Sequence, residues 1–147
     1  MKSETINGEK YEYKYDAHSN ITDVTKDGVL QYHYGYDMMN QLVSVDDKLN
    51  GKVYNYTYDA GGNLISETVT DSNGTTSNAY EYNNPNWGDV LTSYNGQSIT
   101  YDEIGNPLTY RDGISMTWKN GRQLATLTNG DTSISSVSYT HLRAHET

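Results

Sequence analysis

The sequence predicts an all-β fold, an antiparallel meander of repeated β-hairpins. Three observations support this prediction. A tyrosine-rich segment that ends in Tyr-Asp recurs about every 21 residues, Asn-Gly or Asp-Gly pairs recur in step with it, and no segment has helical periodicity. A repeat of this length with two turn signals is typical of one hairpin. We therefore expect roughly ten to twelve strands.

The first element of each repeat is a strand with tyrosine at alternate positions. Its Tyr-Asp pairs lie 21 and then 22 residues apart in the copies at 11–16, 32–37 and 54–59. Because side chains alternate between the two faces of a strand, the three rings of each copy are predicted to share one face. A fourth copy ends in Asn83, a fifth keeps Tyr101-Asp102, and Trp118 is predicted to take the tyrosine place in a shortened sixth.

A turn follows each Tyr-Asp pair. Asp59 to Leu64 is the clearest copy and Asp102 to Leu108 is close to it, whereas Asp16 to Ile21 and Asp37 to Leu42 are degenerate. Asp accepts hydrogen bonds from backbone groups just ahead of it, and Gly and Asn tolerate positive φ. The aspartates are therefore predicted to shape turns.

Pairs of Asn-Gly or Asp-Gly supply the second turn of each repeat. A type I′ hairpin turn needs positive φ at both central residues, and these dipeptides are the strongest short-range signal for it. We predict such turns at Asn7-Gly8, Asp27-Gly28, Asn50-Gly51, Asn73-Gly74, Asn95-Gly96, Asp112-Gly113, Asn120-Gly121 and Asn129-Gly130.

The composition narrows the classes of function. With 15 Tyr and no Phe, tyrosine supplies most of the bulky apolar surface, so any core must be a thin aromatic layer. A net charge of -9 with scattered basic residues argues against nucleic-acid binding. The absence of Cys excludes disulfides and thiolate metal sites. No stretch approaches the roughly 20 apolar residues of a membrane span.

The pattern Tyr-x-Tyr-Asp-x-x-Gly-Asn-Leu at Tyr56 to Leu64 resembles the tyrosine-aspartate (YD) repeats of bacterial rearrangement-hotspot (Rhs) proteins. Trp87 to Leu91, followed by Tyr94-Asn95-Gly96, resembles another recurring segment of these proteins, and so does Trp118 to Leu124. The resemblance covers about residues 8–137.

The resemblance implies a large β-sheet that spirals into a hollow shell around a C-terminal toxic domain, in a secreted or cell-surface protein. Its partners would be the adjacent repeats of the same chain and the enclosed toxin domain. This chain is too short to close a shell and lacks the Asp-Pro segment that ends the family's core, so we expect an internal fragment of a larger protein. We divide it into an entry segment (1–7), an array of about six repeats (8–137) and a non-repeat tail (138–147) that we expect to be an artefact.

We therefore predict a structural, non-catalytic role, with no cofactor and no catalytic or metal-binding residue. Catalysis needs one unique constellation, whereas these carboxylates are periodic. The loop from Asp59 to Asn63 lacks the alternating oxygen ligands of Ca²⁺ loops. His141 and His145 have a metal-compatible spacing, but they lie in the tail. The residues expected to carry the repeat structurally are Tyr11, Tyr13, Tyr15, Asp16, Tyr32, Tyr34, Tyr36, Asp37, Tyr54, Tyr56, Tyr58, Asp59, Gly62, Asn63, Leu64, Tyr101, Asp102, Gly105, Asn106 and Trp118.

An alternative is a cell-surface module that binds carbohydrate or protein through its tyrosine-rich strands. Rings that repeat on one strand face more often pack against neighbours, because an exposed aromatic face of this size is rare in soluble proteins. Packing is therefore the favoured interpretation, and binding remains its rival.

Overall fold

The computed structural model describes residues 1–136, which form strands joined by short turns. The strands are β1 (Lys2–Ile6), β2 (Glu9–Tyr15), β3 (Ile21–Lys26), β4 (Val29–Tyr36), β5 (Leu42–Asp47), β6 (Lys52–Tyr58), β7 (Leu64–Asp71), β8 (Gly74–Glu81), β9 (Ser93–Tyr94), β10 (Gln97–Ser98), β11 (Ile114–Lys119), β12 (Gln123–Asn129) and β13 (Thr132–Ser135). The described part of the chain contains no α-helix, and Arg111–Gly113 form a turn of 3-10 helix. The all-β prediction is confirmed. The described residues form slightly more strands than expected, because the count includes β9 and β10, which are only two residues long.

The described residues divide between two compact units. The first spans Met1–Tyr80 and is an antiparallel meander in which each strand from β1 to β8 pairs with the next. The second begins at Glu81 and contains the β9–β10 hairpin and the three-stranded sheet β11–β12–β13. The predicted entry segment holds β1, whereas the predicted tail, with His141 and His145, lies outside the described residues.

The sheet of the first unit has two chemically different faces. Directly paired residues share a face, and one row runs Tyr34, Val45, Tyr54, Val69. The adjacent row on the opposite face runs His33, Asp46, Val53, Thr70. In β6 the three tyrosines are partly buried and the residues between them are exposed, as the alternation predicted. We call the first of these surfaces the tyrosine-valine face.

Little of the described structure is fully buried. Ile99, at 3% exposure, is the one buried hydrophobic residue there. The sheet of the first unit therefore has no deep core, and its stability rests on backbone ladders and on side-chain pairs between neighbouring strands.

A β-bulge recurs at one end of the hairpins. The pairing register shifts between Lys14 and Tyr15, between Gly35 and Tyr36, and between Thr57 and Tyr58. In each case the returning strand carries one extra residue beside the Tyr-Asp turn, and these residues are Thr22, Val43 and Ile65. A bulge bends its strand and increases the local twist, so the distortion is repeated once per hairpin.

The type I′ prediction holds for some of the Asn-Gly and Asp-Gly pairs. Both residues have positive φ in Asn7-Gly8, Asp27-Gly28 and Asn95-Gly96, which join β1 to β2, β3 to β4 and β9 to β10. Asp112-Gly113 and Asn120-Gly121 also have two positive φ angles, but they lie in the 3-10 turn and in a three-residue loop.

The prediction is wrong for three pairs, in which the glycine alone has positive φ. Asn50 lies in a four-residue loop, where the Asp47 carboxylate accepts both the backbone N–H of Asn50 (3.0 Å) and its side-chain Nδ2 (2.8 Å). Asn73-Gly74 is displaced because the pair Asp71–Gly74 closes the turn around Ser72-Asn73. The pair Asn129–Thr132 likewise centres its turn on Gly130-Asp131.

No helix among residues 1–136 has the length and apolar character needed to cross a membrane.

Candidate functional site

The Tyr-Asp pairs are followed by the same five-residue turn in four places. At the clearest copy the backbone N–H of Asp59 donates to the carbonyl of Asn63 (2.9 Å), and Gly62 N–H donates to the carbonyl of Asp59 (3.1 Å). The corresponding two bonds close the turns that begin at Asp16, Asp37 and Asp102. Copies that looked degenerate in sequence therefore form the same backbone structure.

The aspartate carboxylate organises each turn from inside. Oδ1 of Asp59 accepts the backbone N–H groups of Gly61 and Asn63, each at 2.9 Å, and Oδ2 accepts Nδ2 of Asn63 at 2.9 Å. The full set recurs at Asp16 with Asn20 and at Asp102 with Asn106. At Asp37, which is followed by Gln41, the carboxylate accepts the two backbone bonds.

The fourth residue of each turn has positive φ, and different residue types meet this demand. The φ angles are 69° for Ser19, 60° for Asn40, 84° for Gly62 and 88° for Gly105. Glycine carries no steric penalty there, and asparagine tolerates this region better than other side chains. The turn therefore survives substitution at the predicted glycine position.

Hydrogen bonding lowers the pKa of three of these carboxyl groups, those of Asp16, Asp59 and Asp102. The side-chain N–H groups of Asn20 and Asn63 lower the pKa of Asp16 and of Asp59, with help from backbone N–H groups. Burial alone would raise the pKa of Asp102, but the backbone and side-chain hydrogen bonds from Asn106 outweigh it and the pKa is lowered. A carboxylate held in this way accepts hydrogen bonds and is poorly suited to proton transfer near neutral pH.

The tyrosines of the later Tyr-Asp pairs, Tyr36, Tyr58 and Tyr101, contact the connection that follows the outgoing strand of the preceding repeat. Tyr36 donates its O–H to the carbonyl of Ile21 (2.8 Å), and Tyr58 donates to the carbonyl of Leu42 (2.6 Å). In the second unit Tyr101 donates to the carbonyl of Leu91 (2.7 Å), and the indole N–H of Trp118 donates to that of Pro107 (2.7 Å). We call this contact the inter-repeat bond.

Sequence reasoning missed the acceptors of these bonds. Ile21, Leu42 and Pro107 each follow their aspartate by five residues, and each pairs across the hairpin with the tyrosine of its own repeat. That regular spacing was visible in the sequence. The acceptor is a backbone carbonyl, however, and every residue has one, so no particular side-chain type predicts it.

The phenols that make these bonds are held in their donor form. Burial raises the pKa of Tyr36 and of Tyr58, and the negative charges of Asp16 and Asp37 raise it further. Both effects favour the protonated hydroxyl that the bond requires.

The other predicted repeat residues are distributed along the strands. Tyr11, Tyr13 and Tyr15 belong to β2, and Leu64 opens β7 opposite Tyr58. The rings of Tyr32 and Tyr34 on β4 stack with centroids 6.0 Å apart. Tyr54 and Tyr56 lie on β6. Tyr13 and Tyr15 line an open surface pocket together with Lys2, Ser3, Glu4 and Ile21.

The fourth repeat, with Asn83 in the aspartate place, has a longer connection. The backbone N–H of Asn83 donates to Oγ1 of Thr92 (2.9 Å), and Oδ1 of Asn84 accepts the N–H groups of Asn86 (2.9 Å) and Trp87 (3.1 Å). An asparagine side chain therefore shapes this loop, one residue later than the aspartate of the other repeats. Trp87 remains 42% exposed on it.

Residues 1–136 contain no group of three His, Cys, Asp or Glu side chains arranged to hold a metal ion. On the face opposite the tyrosine-valine face, Asp23 contacts Nδ1 of His33 (2.6 Å) and Nζ of Lys14 (3.2 Å). The hydrogen bond from His33 lowers the pKa of Asp23, and Lys14 lowers it further. These groups form a cross-strand ion-pair ladder on adjacent strands.

Comparison with known proteins identifies the repeat. Residues 36–76, which run from Tyr36 through the clearest turn, match the family model described as RHS Repeat. This stretch of the chain is an Rhs-family YD repeat. No curated protein matches the sequence.

The YD-repeat chain also resembles a solved structure, described as the crystal structure of TcdB2-TccC3-TEV. The two share 16% sequence identity with a TM-score of 0.63 over 86% of this chain. The YD-repeat chain spans only 8% of that protein's length. This likeness establishes the fold of the YD repeats, and it agrees with the family match.

Proposed function

We propose that this chain is a non-catalytic structural segment of an Rhs-type β-shell and contributes part of the shell wall. The observation that carries the proposal is the inter-repeat bond, which recurs in both units from an aromatic side chain to a backbone carbonyl of the preceding repeat. In this proposal the tyrosines join successive hairpins, the aspartates form their turns, and neither takes part in chemistry. The functional array is the stretch 8–137.

The recurring bulge supports a curved wall. In the three Tyr-Asp hairpins of the first unit the extra residue lies beside the turn, so the same local bend recurs along the sheet. The β3–β4 pair has its extra residue, Gln31, towards the other end. An extended sheet with free edges invites aggregation, and closure of the sheet removes those edges. A long array of such hairpins would therefore gain by curling into a closed wall.

The proposal extends to the parent protein, defined as the complete reading frame that contains this chain. There the wall would enclose a C-terminal toxic domain until delivery, in a secreted or cell-surface protein. The match to the Rhs repeat supports this step. The enclosed domain would contact the inner surface of the wall, while adjacent repeats contact one another through their turns and strand edges.

Limited proteolysis of the parent protein tests the proposal. We expect its C-terminal domain to resist a protease that rapidly degrades the same domain expressed alone. Electron microscopy of the same sample should show a hollow particle. Equal cleavage rates for the free and the attached domain, or particles without a cavity, would reject the shell.

A second candidate is a surface-binding module, and the tyrosine-valine face favours it. Tyr34, Val45, Tyr54 and Val69 form a continuous row whose side chains are only partly buried. Such a row could stack against sugar rings or an apolar protein surface.

A glycan array tests this candidate. A double substitution of Tyr54→Ser and Tyr56→Ser spares the inter-repeat bond of Tyr58, so loss of signal with an unchanged circular-dichroism spectrum would support binding. The absence of any signal for the unmodified chain would remove the candidate.

A further inference from the structure

Each Tyr-Asp turn has hydrogen-bond partners in the repeat that follows it. In the first unit the acceptor of the inter-repeat bond is the residue at which the returning strand begins, Ile21 or Leu42. The donor is the last residue of the outgoing strand of the next repeat, Tyr36 or Tyr58. The bond therefore joins the end of one turn to the start of the next.

Further contacts point in the same direction along the chain. Nδ2 of Asn20 in the first turn donates to Oδ1 of Asn40 in the second (2.9 Å). In the second unit Nδ2 of Asn106 donates to the carbonyl of Gly121 (2.7 Å), and Arg122 donates to the carbonyl of Ile104 (2.9 Å). Asn106 is only 4% exposed, so its contact is well shielded from water. Each of these turns is thus held partly by residues that come later in the sequence.

We propose that each Tyr-Asp turn is held closed by hydrogen bonds from the following repeat. The stabilisation therefore runs in one direction along the chain, from each repeat back to the turn before it. The group that holds a turn closed is the phenol O–H or the indole N–H on the outgoing strand of the next repeat. The hydrogen bonds within a turn shape it, and the inter-repeat bond keeps it shut. The inference goes beyond the proposed wall function, because it stands whether or not the repeats enclose a cargo.

In this proposal Tyr58 adjoins one turn along the chain and holds a different turn through its hydroxyl group. Its ring precedes the turn at 59–63, whereas its hydroxyl holds the turn at 37–41. Removing only the hydroxyl should therefore loosen the earlier turn and spare the later one. A residue that merely stabilised its own hairpin would show the opposite pattern.

Amide hydrogen exchange on the full chain with Tyr58→Phe tests this assignment. The reporters of the earlier turn are the N–H groups of Met39 and Gln41, which both donate to Asp37. We expect them to exchange roughly fivefold faster, as the loss of one buried hydrogen bond implies. The N–H groups of Gly61 and Asn63, which donate to Asp59, should keep their rates.

Tyr56→Phe is the matched control. Tyr56 lies on the same strand and the same face, but its partner across the ladder is Glu67. This substitution removes the same atom and should leave the exchange of Met39 and Gln41 unchanged. Equal acceleration by the two substitutions would overturn the proposal, as would faster exchange at Gly61 and Asn63 with none at Met39 and Gln41.

A second variant guards against a global loss of stability in Tyr58→Phe. Tyr36→Phe should accelerate exchange at His18 and Asn20, whose N–H groups donate to Asp16, while the turn at 37–41 keeps its rates. If both variants loosen every turn of the first unit to the same extent, the turns are locked collectively and the directional proposal fails.

Discussion

At the scale of the residue, the aspartate of the Tyr-Asp pair acts through the number of hydrogen bonds it accepts. Asp59 uses both carboxylate oxygens on neighbours two and four residues ahead. These three hydrogen bonds to one charged group take the place of hydrogen bonds to water, in a segment that has no deep core. The turn is therefore specified by one side chain, with loose demands on the residues between.

Substitutions at Gly62 test how the turn tolerates its fourth residue. Gly62 has a φ of 84°, and a β-branched residue should destabilise the fold by about 1–2 kcal/mol in this region. Gly62→Val should therefore lower the free energy of unfolding by that amount. Gly62→Asn should cost less, since Asn40 occupies the same place with a φ of 60°. Urea titration of both variants measures the difference, and equal costs would contradict the assignment.

Acid should destabilise the turns, and the sign follows from the lowered pKa of Asp16, Asp59 and Asp102. A carboxyl group with a lower pKa in the folded state stabilises the protein above its unfolded pKa of about 3.9. This stabilisation is lost as pH falls through the folded pKa. We expect Tm to change little between pH 7 and 5 through these groups and to fall below about pH 4.

Asp59→Asn provides the comparison for the acid effect. The substitution removes one titrating carboxylate, so Tm at pH 7 should drop while the further loss below pH 4 becomes smaller. Thermal melts followed by circular dichroism at several pH values measure both quantities. An acid-induced loss as large as in the unmodified chain would show that Asp59 is not among the groups responsible.

The sequence was sufficient to predict these turns because their chemistry resides in side chains. Asp followed by Gly or Asn has a recognisable local signature, and that signature led to the turn at Asp59. It was insufficient where a competing side chain intervenes, as Asp47 does for Asn50. It also could not reveal the carbonyl of Leu42 as an acceptor, since every residue carries one.

At the scale of the element, the strands are matched through alternating tyrosine and valine. Tyr54 lies between Val45 and Val69, so its ring has a β-branched neighbour on both sides. Aromatic and β-branched residues in direct cross-strand pairs stabilise a sheet. The period of two in the tyrosine strand was clear from sequence, but its valine partners depend on register, which the bulges shift by one residue.

Val69→Ala tests the contribution of this ladder. It removes the partner of Tyr54 and should lower the free energy of unfolding by about 0.5–1 kcal/mol. Ile65→Ala is the matched control, because Ile65 is the bulged residue and is exposed. That control should change stability by less than about 0.5 kcal/mol. Urea titrations that give equal losses would show that the cross-strand pair adds nothing beyond general apolar burial.

At the scale of the whole molecule, the repeats behave as modular pairs of strands. In the first unit, the repeats that begin with β2, β4 and β6 each contain one outgoing strand, one Tyr-Asp turn and one returning strand, and adjacent repeats contact each other as neighbours in the meander. Stability in such arrays is a sum of unit and interface contributions. The modular organisation was predictable from the recurring Tyr-Asp spacing. The division of the chain at Tyr80 coincides with the first repeat that lacks the aspartate.

Removal of one unit tests this modularity. Deletion of residues 37–58 joins Tyr36 directly to Asp59, which restores a Tyr-Asp pair and keeps the direction of the following strand. We expect a folded chain with an unchanged type of β-sheet spectrum. Deletion of 37–47 removes one strand only and should abolish the cooperative melt of the first unit, because the next strand then points the wrong way. Equal damage from both deletions would contradict the modular description.

The meander also fixes how such a sheet can change in size. Neighbouring strands lie about 4.8 Å apart, so each two-strand unit widens the sheet by about 10 Å. Gain or loss of a whole unit would keep every Tyr-Asp turn on the same edge and every tyrosine on the same face. The width of a sheet built this way can therefore change only by whole repeats. In a shell formed from such a sheet, the number of repeats that the gene encodes would set the size of the interior.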